Sequence, residues 1–339
     1  MSRSPLSAWR LRTLAAADFD GFVALANARA DRLKSPTRTT CEGWQKWWAG
    51  QGANLASDNC VAVDGAGRII GFATVDCPTE PFVMTYGSAS VHPDHWDCDE
   101  LWDALHVWAL TRAESYVRLA PSEAQVSLLT ESVDSDLSRK VAVLRAGFKL
   151  ARIFFRMRIE FDGEPASPAI PAGIVIRRID MERELLDVAA VHNEALRDHW
   201  GHTEESPQSL VEEWRKETAG QRPEGQRPNF NYVAMADGAI AGYVVCRDNY
   251  RGDPAVGLVD YLGVRPMYRR GGIALALLET AFRAFCAAGY HAVRLGVDAS
   301  SPTGATRLYE KAGMHVVEQV NRYEKVLRPG VDWLTRPGT

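Results

Sequence analysis

Apolar and polar positions follow the same order twice along the chain. Each half begins with a short apolar strand and an amphipathic helix, in residues 8–30 and 174–197. A hairpin with Asp-Gly between two apolar arms follows, in residues 61–75 and 233–245. Next come a strand, a helix, a strand and a helix ending in Ala-Gly. This order predicts two tandem α/β domains, each with a mixed and mostly antiparallel sheet flanked by helices.

A segment without apolar periodicity separates the two halves. It is rich in Pro, Gly and Ala, a composition typical of linkers. The repeat of about 165 residues is far longer than a solenoid unit and indicates a duplicated domain. We predict domains over residues 1–161 and 173–328, a linker over 162–172 and a tail over 329–339.

Composition narrows the class of protein. The chain has 339 residues, of which 46% are apolar and 24% charged, as in soluble globular proteins. A net charge of −4 gives no reason to expect nucleic acid or an anionic membrane as partner. No apolar run is long enough to span a membrane, and the N-terminus has no signal-like apolar region. These features predict a cytoplasmic protein. Its six cysteines are scattered without metal spacing and are expected to be reduced thiols: Cys41, Cys60, Cys77, Cys98, Cys246 and Cys286.

The second half contains a glycine pair at the start of a helix. Residues 269–272 read Arg-Arg-Gly-Gly and follow a strand that ends in Val-x-Pro. The apolar spacing of Leu278, Ala281, Phe282 and Phe285 predicts that the helix begins near Gly272. Unpaired amides and the positive end of the helix dipole make such a position an anion site. The alternative is a turn that only connects strand to helix. The pattern is neither a Walker A motif nor GxGxxG.

These residues resemble the acetyl-CoA loop of the GNAT superfamily of N-acetyltransferases. The family motif, Arg/Gln-x-x-Gly-x-Gly/Ala, is met by Arg269, Gly272 and Ala274. Residues 297–314 are similar to the family's closing strand–helix segment with its Leu-Tyr-x-x-x-Gly signature. The resemblance covers most of the second half, whereas the first half is similar in layout only. The two-domain arrangement is similar to that of mycothiol synthase.

The resemblance implies an acyltransferase that moves an acetyl group from acetyl-CoA to a primary amine. Amine and thioester would react directly in a ternary complex within the C-terminal domain. The residues implied in holding acetyl-CoA are Leu262, Val264, Arg269, Arg270, Gly271, Gly272, Ile273, Ala274 and Ser301. Ser301 stands where most family members have Asn.

The resemblance also implies two catalytic residues. Tyr309 matches the tyrosine that protonates the departing thiolate, and Asp260 falls where some members have a catalytic Glu. Each has an alternative role. Tyr309 would otherwise be a core or rim tyrosine, and Asp260 would otherwise pair with an arginine.

Residues 196–214 fall where the family places acceptor-binding elements. His199, Trp200 and His202 are candidates for lining an acceptor pocket. Equally, this stretch is consistent with a helix start that Ser206 caps, with Trp214 in the core. The sequence leaves both open.

The first half has acids where the second has glycines. Trp96, Asp99 and Leu101 align with Arg269, Gly272 and Ala274, and further acids flank Asp99 at positions 97 and 100. Acids stabilise a helix N-terminus but repel a phosphate. We therefore expect a first domain that has kept the fold, lost the cofactor site and become structural. The competing interpretation is a shifted site that uses His92 or His95.

A function of another class is a non-catalytic acyl-CoA-binding or regulatory module. The glycine loop is expected in either case, and Tyr309 favours the enzyme. The acceptor class stays open between a small molecule and a peptide: an aminoglycoside, a polyamine, a protein N-terminus or a mycothiol precursor. No metal site is expected, and the protein is predicted to be a monomer or a homodimer.

Overall fold

A computed structural model describes residues 9–35, 38–42, 56–76, 78–202, 204–218, 229–248 and 255–334. Cys77 and the last five residues of the predicted tail lie outside this part. The strands are β1 Trp9–Thr13, β2 Asn59–Asp64, β3 Ile69–Val75, β4 Met84–Val91, β5 Val126–Val133, β6 Lys149–Glu160, β7 Ile174–Arg178, β8 Tyr232–Ala236, β9 Ala239–Arg247, β10 Val256–Val264, β11 Ala292–Asp298 and β12 His315–Arg328. The helices are α1 Phe19–Arg32, α2 Asp99–Glu114, α3 Leu137–Arg145, α4 Leu185–Leu196, α5 Pro207–Thr218, α6 Ile273–Ala287 and α7 Ala305–Lys311.

The chain divides into two compact units. The first comprises residues 1–152 and 320–333, and the second residues 153–319 and 334–339. In the first, strands β1 to β5 lie in sequence order, followed by residues 320–328 of β12. In the second, β7 to β11 lie in sequence order, followed by residues 154–160 of β6. Pairing within each unit is antiparallel except at β4–β5 and β10–β11, which are parallel. The predicted fold class, an α/β domain made twice with a mixed and mostly antiparallel sheet, is therefore confirmed.

The two units do not coincide with the predicted cut at the Pro- and Gly-rich segment. Residues 154–160, at the end of the first half, pair with β11 of the second unit. Residues 320–328, at the end of the second half, pair with β5 of the first unit. Each unit thus completes its sheet with the closing strand of the other half, which local apolar patterns do not reveal.

The sheet of the second unit has an apolar core on each face. One core packs α6 and α7 against the strands, and the predicted α6 stripe is entirely buried within it. The other core packs α4 and α5 on the opposite face and includes Tyr243 and Trp214. Neighbouring residues of β9 alternate between the two: Val244 belongs to the first core and Tyr243 to the second.

The predicted hairpins form where Asp-Gly falls. Asp237 and Gly238 both have positive φ, at 47° and 79°, as a two-residue type I′ turn requires. The corresponding turn of the first unit is longer, and the Asp64 carboxylate holds it by accepting from Ala66 N and Arg68 N at 2.9 Å. Among the described residues, no helix is long and apolar enough to cross a membrane.

Candidate functional site

The site in the second unit begins where β10 parts from β11. The two strands pair only through Val256–Val259, and a β-bulge at Asp260 follows. Bulges bend a strand and redirect its side chains. Beyond the bulge, residues 260–264 have no partner on the β11 side among the described strands. A gap therefore opens between β10 and β11 beyond Val259, within the sheet of the second unit.

Backbone groups of Leu262 and Val264 point into this opening. Arg265 N donates to Ala241 O of β9 at 2.9 Å. Since alternate residues of a strand direct their N–H and C=O groups to opposite edges, those of Leu262 and Val264 point away from β9. Their side chains pack against the core that contains α6. β10, whose Leu262 and Val264 were predicted to hold acetyl-CoA, thus presents backbone groups along the edge that faces the gap.

The glycine loop forms a turn of exposed amides at the start of α6. Arg270 has φ +66° and Gly272 has φ +86°, and Gly272 is the residue that caps the helix. In the described chain, no acceptor is found for the N–H groups of residues 270–274. Such left-handed turns, placed at a helix N-terminus, form anion-binding concavities. Ile273 is buried and Ala274 half-buried, so both hold the first turn against the core.

The Arg269 side chain holds this loop onto α4. Its guanidinium donates to Asp198 Oδ2 at 2.7 Å, to Ala195 O at 3.0 Å and to Val264 O at 3.2 Å. These bonds engage the charge of a residue that the resemblance implied in holding acetyl-CoA. Arg270 is exposed and has no ion-pair partner within the described ranges, so its side chain is the one free to meet an anion.

Tyr309 lies on α7, buried in the same core with 9% of its surface exposed. In the described part of the chain its hydroxyl has no hydrogen-bond partner. Burial raises the pKa of Tyr309 to about 12, so the hydroxyl stays protonated near neutral pH. Burial, and to a smaller extent the nearby Tyr261 and Tyr309, raise the pKa of Tyr243. Because it stays protonated, the Tyr309 hydroxyl can donate a proton from the core that packs α6 and α7 against the sheet.

Asp260 forms an ion pair with Arg247 of β9. Arg247 Nη2 donates to Asp260 Oδ1 at 2.6 Å, and Arg247 Nε donates to Oδ2. Burial raises the pKa of Asp260, and the bonds from Arg247 partly oppose this. The paired carboxylate matches the alternative role named from the sequence. To act as a base, it would first have to exchange Arg247 for another partner.

A small cleft lies beside this ion pair, on the face covered by α4 and α5. Trp214, 4% exposed, and Tyr261 form part of its wall, with ring centroids 5.7 Å apart. Beneath them, the Tyr243 hydroxyl and His192 Nδ1 are hydrogen-bonded at 2.8 Å. The cleft is lined by Met181, Leu185, Trp214, Arg215, Asn231, Val245, Cys246, Arg247, Asp260 and Tyr261.

The residues predicted for acceptor binding lie elsewhere. Trp200 is 7% exposed and packs edge-on against Phe154, with centroids 6.4 Å apart. His199 and His202 are absent from the cleft wall, and burial lowers the pKa of both. Ser206 Oγ accepts from Ser209 N at 3.1 Å and caps α5, as the alternative described.

Sequence reasoning missed Arg247, Asn231 and the pair of His192 and Tyr243. The sequence contained no local signal for Arg247, because the pairing of β9 with β10 that brings it to Asp260 is set by tertiary packing. Ser301 lies just beyond β11, where its hydroxyl bonds that of Thr303 at 2.9 Å. No group of three or more His, Cys, Asp or Glu able to hold a metal occurs among the described residues.

The first unit has the same opening but fills it with its own side chains. β4 and β5 pair only over residues 84–86. Trp96, aligned with Arg269, donates from Nε1 to Val91 O at 2.9 Å, which is the bond that Arg269 makes to Val264. Arg29 also donates to Val91 O, at 3.0 Å, and pairs with the buried Asp136.

The two units therefore differ in what their openings accept. The second has an unpaired strand edge, free helix-start amides and an unpartnered tyrosine hydroxyl among its described residues, which suit the amide groups, phosphates and thiolate of an acyl-CoA. The first has a buried Arg–Asp pair at the strand opening and carboxylates in the first turn of α2, where Asp99 is tied to Arg145 at 2.6 Å. Its residues do not fit an acyl-CoA.

Comparison with known proteins agrees with this geometry. Residues 188–314 match the family model of the Acetyltransferase (GNAT) family. A search of curated proteins finds no match. Among solved structures, a GCN5-related N-acetyltransferase from Sphaerobacter thermophilus is similar over 96% of this chain and 98% of that one, with a TM-score of 0.82 and 27% identity.

Two further structures share the fold. A tandem GNAT protein from the clavulanic acid biosynthesis pathway is similar over 95% of this chain and 100% of that one, with a TM-score of 0.65 and 15% identity. A GNAT-family acetyltransferase from Colwellia psychrerythraea covers 93% and is covered over 99%, with a TM-score of 0.57 and 12% identity. Residues 188–314 are thus a GNAT acetyltransferase domain, of a family that transfers acyl groups from acyl-CoA, and the chain as a whole has the fold of tandem GNAT proteins.

Proposed function

We propose that the protein is an N-acetyltransferase that moves an acetyl group from acetyl-CoA to a primary amine. The amine, on a small molecule or a peptide, attacks directly while both substrates are bound to the second unit. The observation that carries the proposal is the combination of free amides at residues 270–274 with the unpartnered hydroxyl of Tyr309. A helix-start anion site alone would suit many phosphate ligands, whereas a protonated tyrosine nearby suits a leaving thiolate.

Backbone groups of the second unit would hold acetyl-CoA, which supplies the activated acetyl thioester. The amides at residues 270–274 would bind its phosphates, and Arg270 would add a charge-assisted bond. The backbone groups of Leu262 and the N–H of Val264 would pair with its amide-containing arm, as a neighbouring strand would, while Arg269 keeps its bond to Val264 O.

Proton transfers complete the reaction. The acceptor ammonium first loses one proton, and Asp260 would take it as the base once Arg247 has left it. The amine nitrogen then forms the C–N bond as the C–S bond breaks, and Tyr309 donates its proton to the sulfur. The second proton lost by the nitrogen restores Tyr309. One proton is released for each acetyl group transferred.

The first unit has a structural role in this proposal. Arg29 and Trp96 occupy the carbonyl of Val91, and Asp136 neutralises Arg29 inside the opening. A ligand entering there would have to break a buried ion pair, which costs about 3–5 kcal/mol when one partner is left unpaired.

A panel of amines, assayed for CoA release in the presence of acetyl-CoA, tests the proposal. We expect release with at least one acceptor class and loss of that release in Tyr309→Phe. A non-catalytic acyl-CoA-binding module would bind acetyl-CoA in calorimetry and release no CoA with any amine. That result would refute the proposed activity.

A further inference from the structure

Two ion pairs join the end of α4 to the turn that leads from β10 into the glycine loop. Glu194 accepts from Arg265 Nε at 2.8 Å. Asp198, four residues later, accepts from Arg269 Nη1 at 2.7 Å, whereas Arg197 Nε approaches it only to 4.0 Å. The hydrogen bond from Arg269 lowers the pKa of Asp198, so this carboxylate stays ionised at neutral pH. The two pairs have the same chemistry, but they hold different parts of the turn.

Arg269 is the residue directly before the left-handed part of the loop. Its own backbone is extended, with φ −67° and ψ 160°, and Arg270 follows with φ +66°. A left-handed residue other than glycine is disfavoured and persists only where its surroundings hold it. The Arg269 guanidinium supplies such a hold through its bonds to Asp198, Ala195 O and Val264 O. Asp198 is the one charged partner among these three.

The first unit has no such anchor at the aligned position. Trp96, aligned with Arg269, keeps the bond to the last carbonyl of its strand, Val91 O. Its ring faces a cation and not a carboxylate, since the Arg29 guanidinium lies 5.6 Å from the ring centroid. None of residues 96–99, all of which the structure describes, has a positive φ. The left-handed turn therefore occurs in the unit where an acid holds the residue before it.

We propose that Asp198 is a positioning residue of the acetyl-CoA site, which acts through Arg269 to keep the amides of residues 270–274 turned outward. This inference rests on the acetyl-CoA site of the proposed function and adds a residue that the loop motif does not contain. Asp198 fixes the direction of the Arg269 guanidinium, so the loop meets the phosphates of acetyl-CoA already in its binding conformation. Without Asp198, part of the population has the loop in other conformations, and the apparent affinity falls in proportion.

The sign of the effect separates this role from simple electrostatics. Asp198 is negative, and its partner lies in a loop that would bind phosphates, so its charge by itself repels acetyl-CoA. Asp198→Asn removes that charge and frees Arg269 to meet the anion, which by charge alone would strengthen binding. The positioning role predicts the opposite. Asp198→Asn should weaken acetyl-CoA binding about 3- to 5-fold, the range expected for a partly exposed ion pair.

Calorimetric titration with acetyl-CoA measures the effect in a set of variants. Asp198→Glu keeps a carboxylate for Arg269 and should restore the affinity to within about twofold of the wild type. Arg269→Met loses all three bonds of the guanidinium and should bind about 10-fold more weakly than the wild type. The double variant Asp198→Asn/Arg269→Met should bind no more weakly than Arg269→Met alone, because Asp198 acts only through Arg269.

Glu194→Gln is the matched control. Glu194 lies one helical turn before Asp198, and its partner Arg265 otherwise bonds Ile240 O, a carbonyl of β9 and not of the loop, at 3.5 Å. The control removes an acid of the same helix and breaks the same kind of bond, so the affinity for acetyl-CoA should stay within about twofold of the wild type. Melting temperatures show whether each variant is folded, and Asp198→Ser replaces Asp198→Asn if the latter is not.

Three results overturn the inference. Unchanged or tighter binding in Asp198→Asn removes Asp198 from the positioning of the loop and assigns Arg269 to the phosphates directly. Equal losses of affinity in Asp198→Asn and Glu194→Gln reduce both acids to supports of α4. A loss in the double variant beyond that of Arg269→Met shows that Asp198 acts by another route.

Failure of the proposed function gives a different result. A wild type that binds no acetyl-CoA refutes the acetyl-CoA site, and this inference with it. A wild type that binds acetyl-CoA but releases no CoA with any amine refutes the proposed activity alone, and the variants of Asp198 then still decide the inference.

Discussion

Replacing Tyr309 by Phe removes one hydroxyl from the candidate site and leaves the ring in the core. In the described part of the chain this hydroxyl has no partner, so the change breaks no hydrogen bond within the protein. Removing a hydroxyl that bonds no other protein group leaves no partner unpaired, so it costs little stability. We therefore expect the melting temperature of Tyr309→Phe to stay close to that of the wild type.

Turnover should change far more than stability. General-acid catalysis contributes about 10²- to 10⁴-fold, equivalent to about 3–5 kcal/mol of transition-state stabilisation. The hydroxyl acts only as the C–S bond breaks, so kcat should fall within that range while the affinity for acetyl-CoA stays the same. Because burial raises the pKa of Tyr309 to about 12, deprotonation of this group should not limit kcat below about pH 10.

Tyr290→Phe is the matched control in the same core. The Tyr290 hydroxyl donates to Asp248 O at 2.8 Å, so its removal costs about 1 kcal/mol, or about 2–4 °C in melting temperature for a unit of this size. Turnover should be unaffected. The two variants therefore predict opposite outcomes in the two assays, calorimetric melting and CoA release. A folded Tyr309→Phe protein with wild-type kcat would remove Tyr309 from the mechanism.

The other predictions concern the loop, the stoichiometry and the effect of pH. Gly272→Asp and Gly272→Asn both place a side chain on a left-handed residue, at φ +86°, and differ only in charge. At about 4 Å from a phosphate and a dielectric constant near 20, the repulsion from that charge is about 4 kcal/mol. Gly272→Asp should therefore weaken acetyl-CoA binding roughly a thousandfold more than Gly272→Asn. Equal affinities in calorimetry would place the phosphates elsewhere. Calorimetry of the wild type should find one acetyl-CoA per chain, and a second site of similar affinity that persists in Gly272→Asp would contradict a structural first unit. Burial lowers the pKa of His106 and His192 to about 4, so between about pH 6.5 and 4 only the unfolded chain binds these protons. As the pH falls across that window, the free energy of unfolding should fall by up to about 3.4 kcal/mol per histidine. Urea unfolding of the wild type and of His106→Gln at pH 7.5 and 5 measures this loss, and an equal loss in both proteins would exclude His106 as a source.

The amino-acid sequence by itself determined the elements and the position of the loop. The apolar stripe from Leu278 to Phe285 predicted α6 and its buried face, because helical periodicity is a local property. Asp237-Gly238 predicted its turn for the same reason, since few residues tolerate positive φ at two neighbouring positions. The contrast between Gly272 and Asp99 distinguished the two halves, because the charge and bulk of a side chain at a helix start depend on residue type alone.

Tertiary structure decided which strands pair and which side chains form hydrogen bonds and ion pairs. Each sheet takes its last strand from the other half, a pairing between segments distant in sequence that no local pattern specifies. The Arg269 side chain, which the resemblance implied in holding acetyl-CoA, bonds Asp198 and Ala195 because α4 packs beside the loop. Asp260 meets Arg247 only because a bulge turns it toward the end of β9. Hydrogen bonds and ion pairs of this kind depend on distances between elements, and those distances are fixed only when the elements pack.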